Sequence, residues 1–509
     1  MTNLSHEELY GQYKVAMSRI ADLRFSSALL QWDQETYMPP RGAPVRGQQI
    51  ASLTELAHEL FTSKTSGDLF THLLETNGLT DKEKRNAELS FEDYTRLQKI
   101  PAEFVREMSE TVNQSFHSWM AARKANDFSL FAGDLAKLVA LKKQEAGYLG
   151  YTNHPYDALL NEHDKGTNVL LLDAVFNQIR GPLKELLQKI MSQPPVDDSF
   201  LHRHYPREKQ WAFGMDLLKR LGYDFEAGRQ DVSEHPFSVS FNNQDVRITT
   251  RIDENDLAAM TWSCIHELGH ALYEQGLPGD QYGLPAGEAA SYSIHESQSR
   301  LWENHVGRSE SFCRTFFPLF KQYFPEQLAD ITVDHFYKAI NKVQPSLIRT
   351  ESDELTYHFH IMIRYELEKK LLEGSLNTND IPAYWAEQYK LYMGIEVPDH
   401  RRGCLQDVHW SHGSFGYFPT YSLGSFYAAQ IYQTAVESSE TTKENSKTVA
   451  EEVNSGKYDG LLDWLRSNVH MHGRIYTSET LCKVISGKTL NINYFLSYLL
   501  DKYRKIYNF

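Results

Sequence analysis

Residues 257–278 read LAAMTWSCIHELGHALYEQGLP. Leu257, Met260, Cys264 or Ile265, Leu268 and Leu272 recur at steps of three and four, which makes the apolar stripe of a helix. Gly276 and Pro278 end it. Inside the stripe, His266, Glu267 and His270 form an H-E-x-x-H motif. Positions i and i+4 share a helix face, so both histidines can direct a ring nitrogen at one ion. Glu267 sits beside them, placed to take a proton from a water on that ion. Two histidines on an exposed helix face would give the same spacing, so the apolar surroundings and a third ligand carry the reading.

A catalytic metal of this kind takes three protein ligands. Downstream, residues 287–300 (GEAASYSIHESQSR) also read as a helix, joined to the first by a loop holding Gly279, Gly283 and Pro285. Glu296 is the best candidate there, with His295 and Glu288 as rivals. His295 fits better as a neighbour of the ligands. In some HExxH enzymes an acid follows the ligand Glu by four residues. Here that position is Arg300, so an acid such as Glu303 must serve instead.

Working outward, helical periodicity dominates. Leu9, Tyr13, Ala16, Ile20 and Leu23 form one stripe, Phe131, Leu135 and Leu138 another, and Phe359, Ile363, Leu367 and Leu371 a third. Residues 235–252 differ: two runs rich in Val, Ile, Phe and Thr flank Asn242-Asn243, which predicts a β-hairpin. Residues 438–446 are polar and read as an exposed loop. No Pro/Ser-rich linker separates domains. The expectation is a mostly α chain, two helical lobes around a long cleft, with a small β-element near the HExxH helix. It would be one unit over 1–509, with a catalytic core at about 235–425 and a helical part at about 1–230.

The chain has 509 residues, 41% apolar and 23% charged, which suits a globular fold. A formal charge of −15 argues against binding driven by phosphate neutralisation, so no nucleic-acid partner is expected. No run nears the 18 or so apolar residues of a membrane span, and the polar N-terminal stretch lacks the core of a signal peptide. Cys264, Cys313, Cys404 and Cys482 lie far apart with no CxxC pair, as in a free-thiol protein of the cytoplasm.

At these residues the chain resembles the M32 family of metallocarboxypeptidases, the carboxypeptidase Taq family, along nearly its whole length. The family's DxRxT appears as Asp245-Val-Arg247-Ile-Thr249, and its HES-Q element as His295-Glu296-Ser297-Gln298. GxxQDxHW appears as Gly403-Cys-Leu-Gln406-Asp407-Val-His409-Trp410. IRxxAD appears as Ile348-Arg349-Thr-Glu-Ser352-Asp353, with Ser for Ala. Residues 32–40 (WDQETYMPP) and Tyr156-Asp157-Ala-Leu-Leu are also typical. The resemblance implies a zinc exopeptidase that releases single C-terminal residues, broad in specificity and poor on proline. It implies a homodimer and a fold related to the angiotensin-converting-enzyme and neurolysin group. Residue by residue, it makes His266, His270 and Glu296 the ligands of one zinc per subunit, replaceable by cobalt or manganese, and Glu267 the base. A zinc oligopeptidase or dipeptidyl carboxypeptidase of the same superfamily is the alternative. A catalytically silent binding protein would not need Glu267.

The stretch 409–421 (HWSHGSFGYFPTY) supplies oxyanion donors: Tyr421 and one of His409 or His412, with Tyr417 read as packing. Reading a free carboxylate suits an Arg fork. Arg349 is the first candidate, against the alternative of an i,i+4 pair with Asp353. Gln406 and Arg401 (beside Arg402) are further substrate-binding candidates. So are Arg247 and Asp245, which more simply brace the hairpin, whose edge could pair with an extended peptide. The His358/His360 and His470/His472 pairs read as packing or surface histidines.

Overall fold

The computed structural model describes residues 5–439 and 447–509; the loop expected at 438–446 lies, from residue 440 on, outside the described residues. The chain is mostly helical and divides into two compact units, each assembled from three stretches. Unit 1 comprises Met1–Gln98, Asp197–Ile340 and Gln430–Thr489, and unit 2 comprises Lys99–Val196, Asn341–Ala429 and Leu490–Phe509. Among the described residues no helix is long and apolar enough to cross a membrane. All four cysteines are buried and free.

Unit 1 begins with the helix His6–Thr36, started by a Ser5/Glu8 capping box. Its expected stripe faces inward: Leu9, Tyr13 and Ile20 are buried with Phe61, Phe70, Leu73 and Ala87, and Ala16 and Leu23 pack at the margin. The HExxH helix spans Leu257–Gln275, N-capped by Asp256, and closes at Gly276 as expected. The second expected helix is shorter than the sequence suggested. Residues 285–287 form a 3-10 turn, Glu288 is extended, and the helix runs only over Tyr292–Arg300 because the Ser291 side chain accepts from Ile294 N and sets the start there. Beyond Arg300 the backbone widens into a π-helical turn, Leu301–Val306.

The hairpin forms: β2 (Ser238–Asn242) and β3 (Asp245–Thr250) are antiparallel. A third strand, β1 (Gly228–Val232), pairs in parallel with β3, giving the order β1-β3-β2. Its sequence, GRQDV, has no apolar alternation, so only the partner strand defines it. Gly228 lies against its neighbour: a Cβ there would stand 2.2 Å from Val246 O.

Unit 2 contains the helical pair Ala102–Ala125 and Ser129–Leu149, turned through Asn126 in a left-handed conformation. Its helix Tyr357–Glu373 is buried on almost every face, the mark of a central helix. Four of its buried residues are polar or charged: His358, His360, Arg364 and Glu368. Residues 349–353 are not helical; a 3-10 turn covers Arg349–Glu351 and Ser352 is extended. The Arg349–Asp353 pair therefore does not form. Asp353 instead accepts from the backbone N–H groups of Gln344, Leu355 and Thr356 and from the Thr356 hydroxyl.

Candidate functional site

In unit 1 the HExxH helix and the Tyr292–Arg300 helix touch at a glycine. A Cβ on Gly269 would lie 2.5 Å from Ser299 Cα and 2.6 Å from Gln298 O, so only the missing side chain lets the two backbones approach. That approach carries Glu296 to the histidines. Glu296 Oε2 stands 3.7 Å from His266 Nε2 and 3.5 Å from His270 Nε2, and one donor atom from each of the three residues lies within 4.8 Å of the others. Ligands about 2.1 Å from a tetrahedral ion sit roughly 3.4 Å apart, so this set of two nitrogens and an oxygen fits one ion.

The opposite ring atoms explain why these nitrogens face inward. His266 Nδ1 hydrogen-bonds Glu303 at 2.9 Å, and His270 Nδ1 donates to the His295 carbonyl at 3.1 Å. Holding the proton on Nδ1 leaves the Nε2 lone pair for a metal. The π-turn brings Glu303 into reach, and Arg300 and Arg308 pair with it. Arg300 also donates from Nε to Glu296 Oε1 at 2.7 Å, and the Ser299 hydroxyl donates to Oε2. The His295 ring stacks on His270, 4.4 Å between centroids, and binds Glu274 through Nε2. Glu288 pairs with Arg474 and is not among the three clustered donors.

The electrostatics follow from burial and these neighbours. Burial pushes the Glu267 carboxyl up to about 7, although His266 opposes it and Ser238 of β2 hydrogen-bonds it. Burial also acts to raise Glu296, but Arg300 and the two histidines outweigh it and hold that carboxyl well below the usual range. Burial and the neighbouring His295 push His270 down to about 3. The trio is thus an ionised carboxylate, a neutral His270, and a His266 whose pKa burial acts to lower but Glu296 and Glu303 raise, all next to the buried Glu267 carboxyl. A pocket of about 410 Å³ in the same unit is lined by Ser238–Asn243, Arg24, Phe25, Tyr282, Glu274 and His295.

Unit 2 gathers most of the remaining candidates. Arg349 and Arg364, both buried, share Asp407: Arg349 reaches Oδ1 from Nε (3.0 Å) and Nη2 (2.9 Å), and Arg364 reaches Oδ2 from Nε at 2.8 Å. Arg349 also donates to the Tyr357 hydroxyl and lies over the Tyr421 ring. Two guanidinium charges thus face one carboxylate. His409 does not add to the charge, because burial drives its pKa down to about 4 despite Asp407. Its Nε2 lies 3.4 Å from the Tyr421 hydroxyl. His412, by contrast, is exposed and packs on Phe116. Tyr417 packs among His163, His409 and Tyr421, edge-on to His163 and Tyr421 and tilted against His409.

The other substrate-binding candidates have partners of their own. Gln406 accepts from Arg349 N and donates to Leu347 O, which holds the Arg349 backbone. Arg401 donates to the carbonyls of Arg123 and Lys124 at a helix end. Arg247 forms a two-point pair with Asp245 and lies over Trp32, a bracing arrangement. His358 and His360 are buried against Ser422 and Tyr389, and His470 against Gln298. Sequence reasoning missed Arg364. Its signal was an arginine in the otherwise apolar run 361–365 (IMIRY).

An HExxH helix with a carboxylate from the following helix is the arrangement of metal-dependent peptidases. The chain belongs to the carboxypeptidase Taq (M32) metallopeptidase family, whose model matches residues 12–503. It is 38% identical over 495 residues to a thermostable carboxypeptidase 1 of Thermus thermophilus, covering 94% of this chain and 95% of that one. The solved M32 carboxypeptidase of Deinococcus radiodurans superposes with a TM-score of 0.95 at 37% identity, over 99% of this chain and 100% of the other. A solved structure named CHT is 55% identical, with a TM-score of 0.94 over 97% of this chain and 99% of that one. The protein is a metallocarboxypeptidase, a metal-dependent hydrolase of peptide bonds.

Proposed function

We propose that this chain releases single residues from the free C-terminus of peptides, with zinc held by His266, His270 and Glu296. The observation that carries the reading is the donor trio beside the buried Glu267. Two imidazoles and a carboxylate suit zinc among the available divalent ions, and cobalt or manganese can replace it. When bound, such an ion supplies Lewis acidity toward the peptide carbonyl and lowers the pKa of water. Glu267 takes the proton of the attacking water and passes it to the leaving amine nitrogen, the general acid-base role that its place beside the donor trio allows.

Two further roles rest on the family resemblance. The Tyr421 hydroxyl, next to His409, donates to the oxyanion of the tetrahedral intermediate. The distance between them favours His409 over His412 as the assisting histidine. Arg349 reads the terminal carboxylate. The two arginines sharing Asp407 leave a buried positive charge suited to an anion. Gln406 serves by holding Arg349. The family resemblance supports broad specificity, poor action on proline and a homodimer; the free, scattered cysteines and the acidic charge support a cytoplasmic protein with peptides rather than nucleic acid or membrane as partners.

Product masses from a free peptide and its C-terminally amidated twin test the reading. One-residue losses from the free peptide alone support it. Dipeptide release or internal cuts would move the chain to the dipeptidyl carboxypeptidase or oligopeptidase reading. Sedimentation tests the dimer.

A further inference from the structure

Glu368 lies within the helix Tyr357–Glu373 and is fully buried. A carboxylate there needs partners. It accepts from Trp410 Nε1 on Oε1 at 2.8 Å, and from Gly416 N and the Tyr156 hydroxyl on Oε2 at 2.9 and 2.5 Å. Arg364, one turn earlier, gives its guanidinium to Asp407 and to the His360 carbonyl instead.

Two of the three donors belong to one short stretch. Trp410 follows His409 in the 3-10 turn His409–His412, and Gly416 precedes the helix Pro419–Glu437 that bears Tyr421. One carboxylate thus fastens the stretch at two points six residues apart. Gly416 has φ +88°, and a Cβ there would lie 2.7 Å from Leu159 O, so the stretch is pressed onto the helix Pro155–His163 that supplies Tyr156. His409 and Tyr421 flank the fastened span and stand 3.4 Å apart. We propose that Glu368 is a positioning residue: it holds the 410–416 stretch so that the His409 ring and the Tyr421 hydroxyl keep their mutual geometry. This rests on reading those two groups as oxyanion donors.

Glu368→Gln keeps the volume but sets an amide N–H against one of the donors. The expected result is a kcat lowered roughly tenfold to a hundredfold with KM within about twofold. In metal-free protein the His409 ring resonances, assigned by their loss in His409→Gln, should shift. On a Tyr421→Phe background Glu368→Gln should cost little more. Strictly additive losses, or normal kcat with unmoved His409 resonances, overturn the proposal. If Glu368→Gln does not fold, Tyr156→Phe removes one donor and should show the same split in smaller measure; normal kcat and unmoved resonances there overturn it equally. A normal kcat in Tyr421→Phe refutes the oxyanion reading by itself, and the positioning role then stands or falls on the His409 resonances.

Discussion

His266 Nδ1 and Glu303 lie 2.9 Å apart, joined across 37 residues by a π-helical turn. Glu303 is itself held by Arg300 and Arg308, which keep its carboxyl ionised, down to about 2 against the opposing effect of burial. An ionised acceptor on Nδ1 fixes the tautomer that a metal needs on Nε2. Glu303→Gln should therefore weaken metal affinity roughly tenfold to a hundredfold while leaving the fold intact. Titration of the metal-free protein with zinc, followed by calorimetry, measures it. Unchanged affinity would mean the bond plays no part in presenting His266.

Glu267→Gln should retain the metal and bind peptide but lose turnover by at least roughly a hundredfold. The amide has the shape of the carboxyl and cannot take a proton. Single-turnover rates together with metal content separate the two effects. Near-normal turnover would assign the proton to another group.

Gly269→Ala tests the helix contact. Its methyl would need space 2.5 Å from Ser299 Cα, so the two helices must part. Overpacking of this kind costs about 1–3 kcal/mol, and it also pulls Glu296 away from the histidines. Thermal unfolding should fall and metal content should fall with it. A fully loaded, equally stable variant would show that the contact has slack.

Chelation should leave the helical circular dichroism unchanged at 25 °C, because the core of unit 1 is formed by buried apolar side chains and not by the metal. Restoring metal at about a hundred times its Kd should add about 2.7 kcal/mol of stability by mass action. Cooperative unfolding on chelation would make the site structural.

Arg349→Ala should cost roughly a hundredfold in kcat/KM on free peptides, as for loss of a two-point charged contact worth about 3 kcal/mol. C-terminal amidation should cost a similar amount, and the two together little more. Additive losses would place the effect of Arg349 in its pairing with Asp407 instead.

Much of this molecule is local, and local features are legible in a chain. The stripe of Leu9, Tyr13 and Ile20, the end of the HExxH helix at Gly276, and the shared face of His266 and His270 all follow from a 3.6-residue period and from the helix-stop signal of glycine. The β2–β3 hairpin follows from alternation around a two-residue turn. The partner of His266 was open to a guess, since Arg300 stands where an acid was expected. Glu303 being three residues further on gave no proof that a π-turn would swing it into place.

What the sequence by itself determined is the set of elements and the chemistry each displays: a metal-ready helix with its base, an acidic helix after it, and an arginine-bearing stretch in unit 2. Only the tertiary structure decided which groups meet. Gly269 admits the Ser299 backbone, so Glu296 reaches the histidines. Asp407, 58 residues from Arg349, takes the guanidinium that an i,i+4 pair would give to Asp353, because 349–353 does not form an α-helix. β1 is a strand only because β3 lies beside it. Periodicity specifies which side of an element turns inward, but a contact between distant residues depends on how closely two backbones can approach, and that is a property of the packed chain.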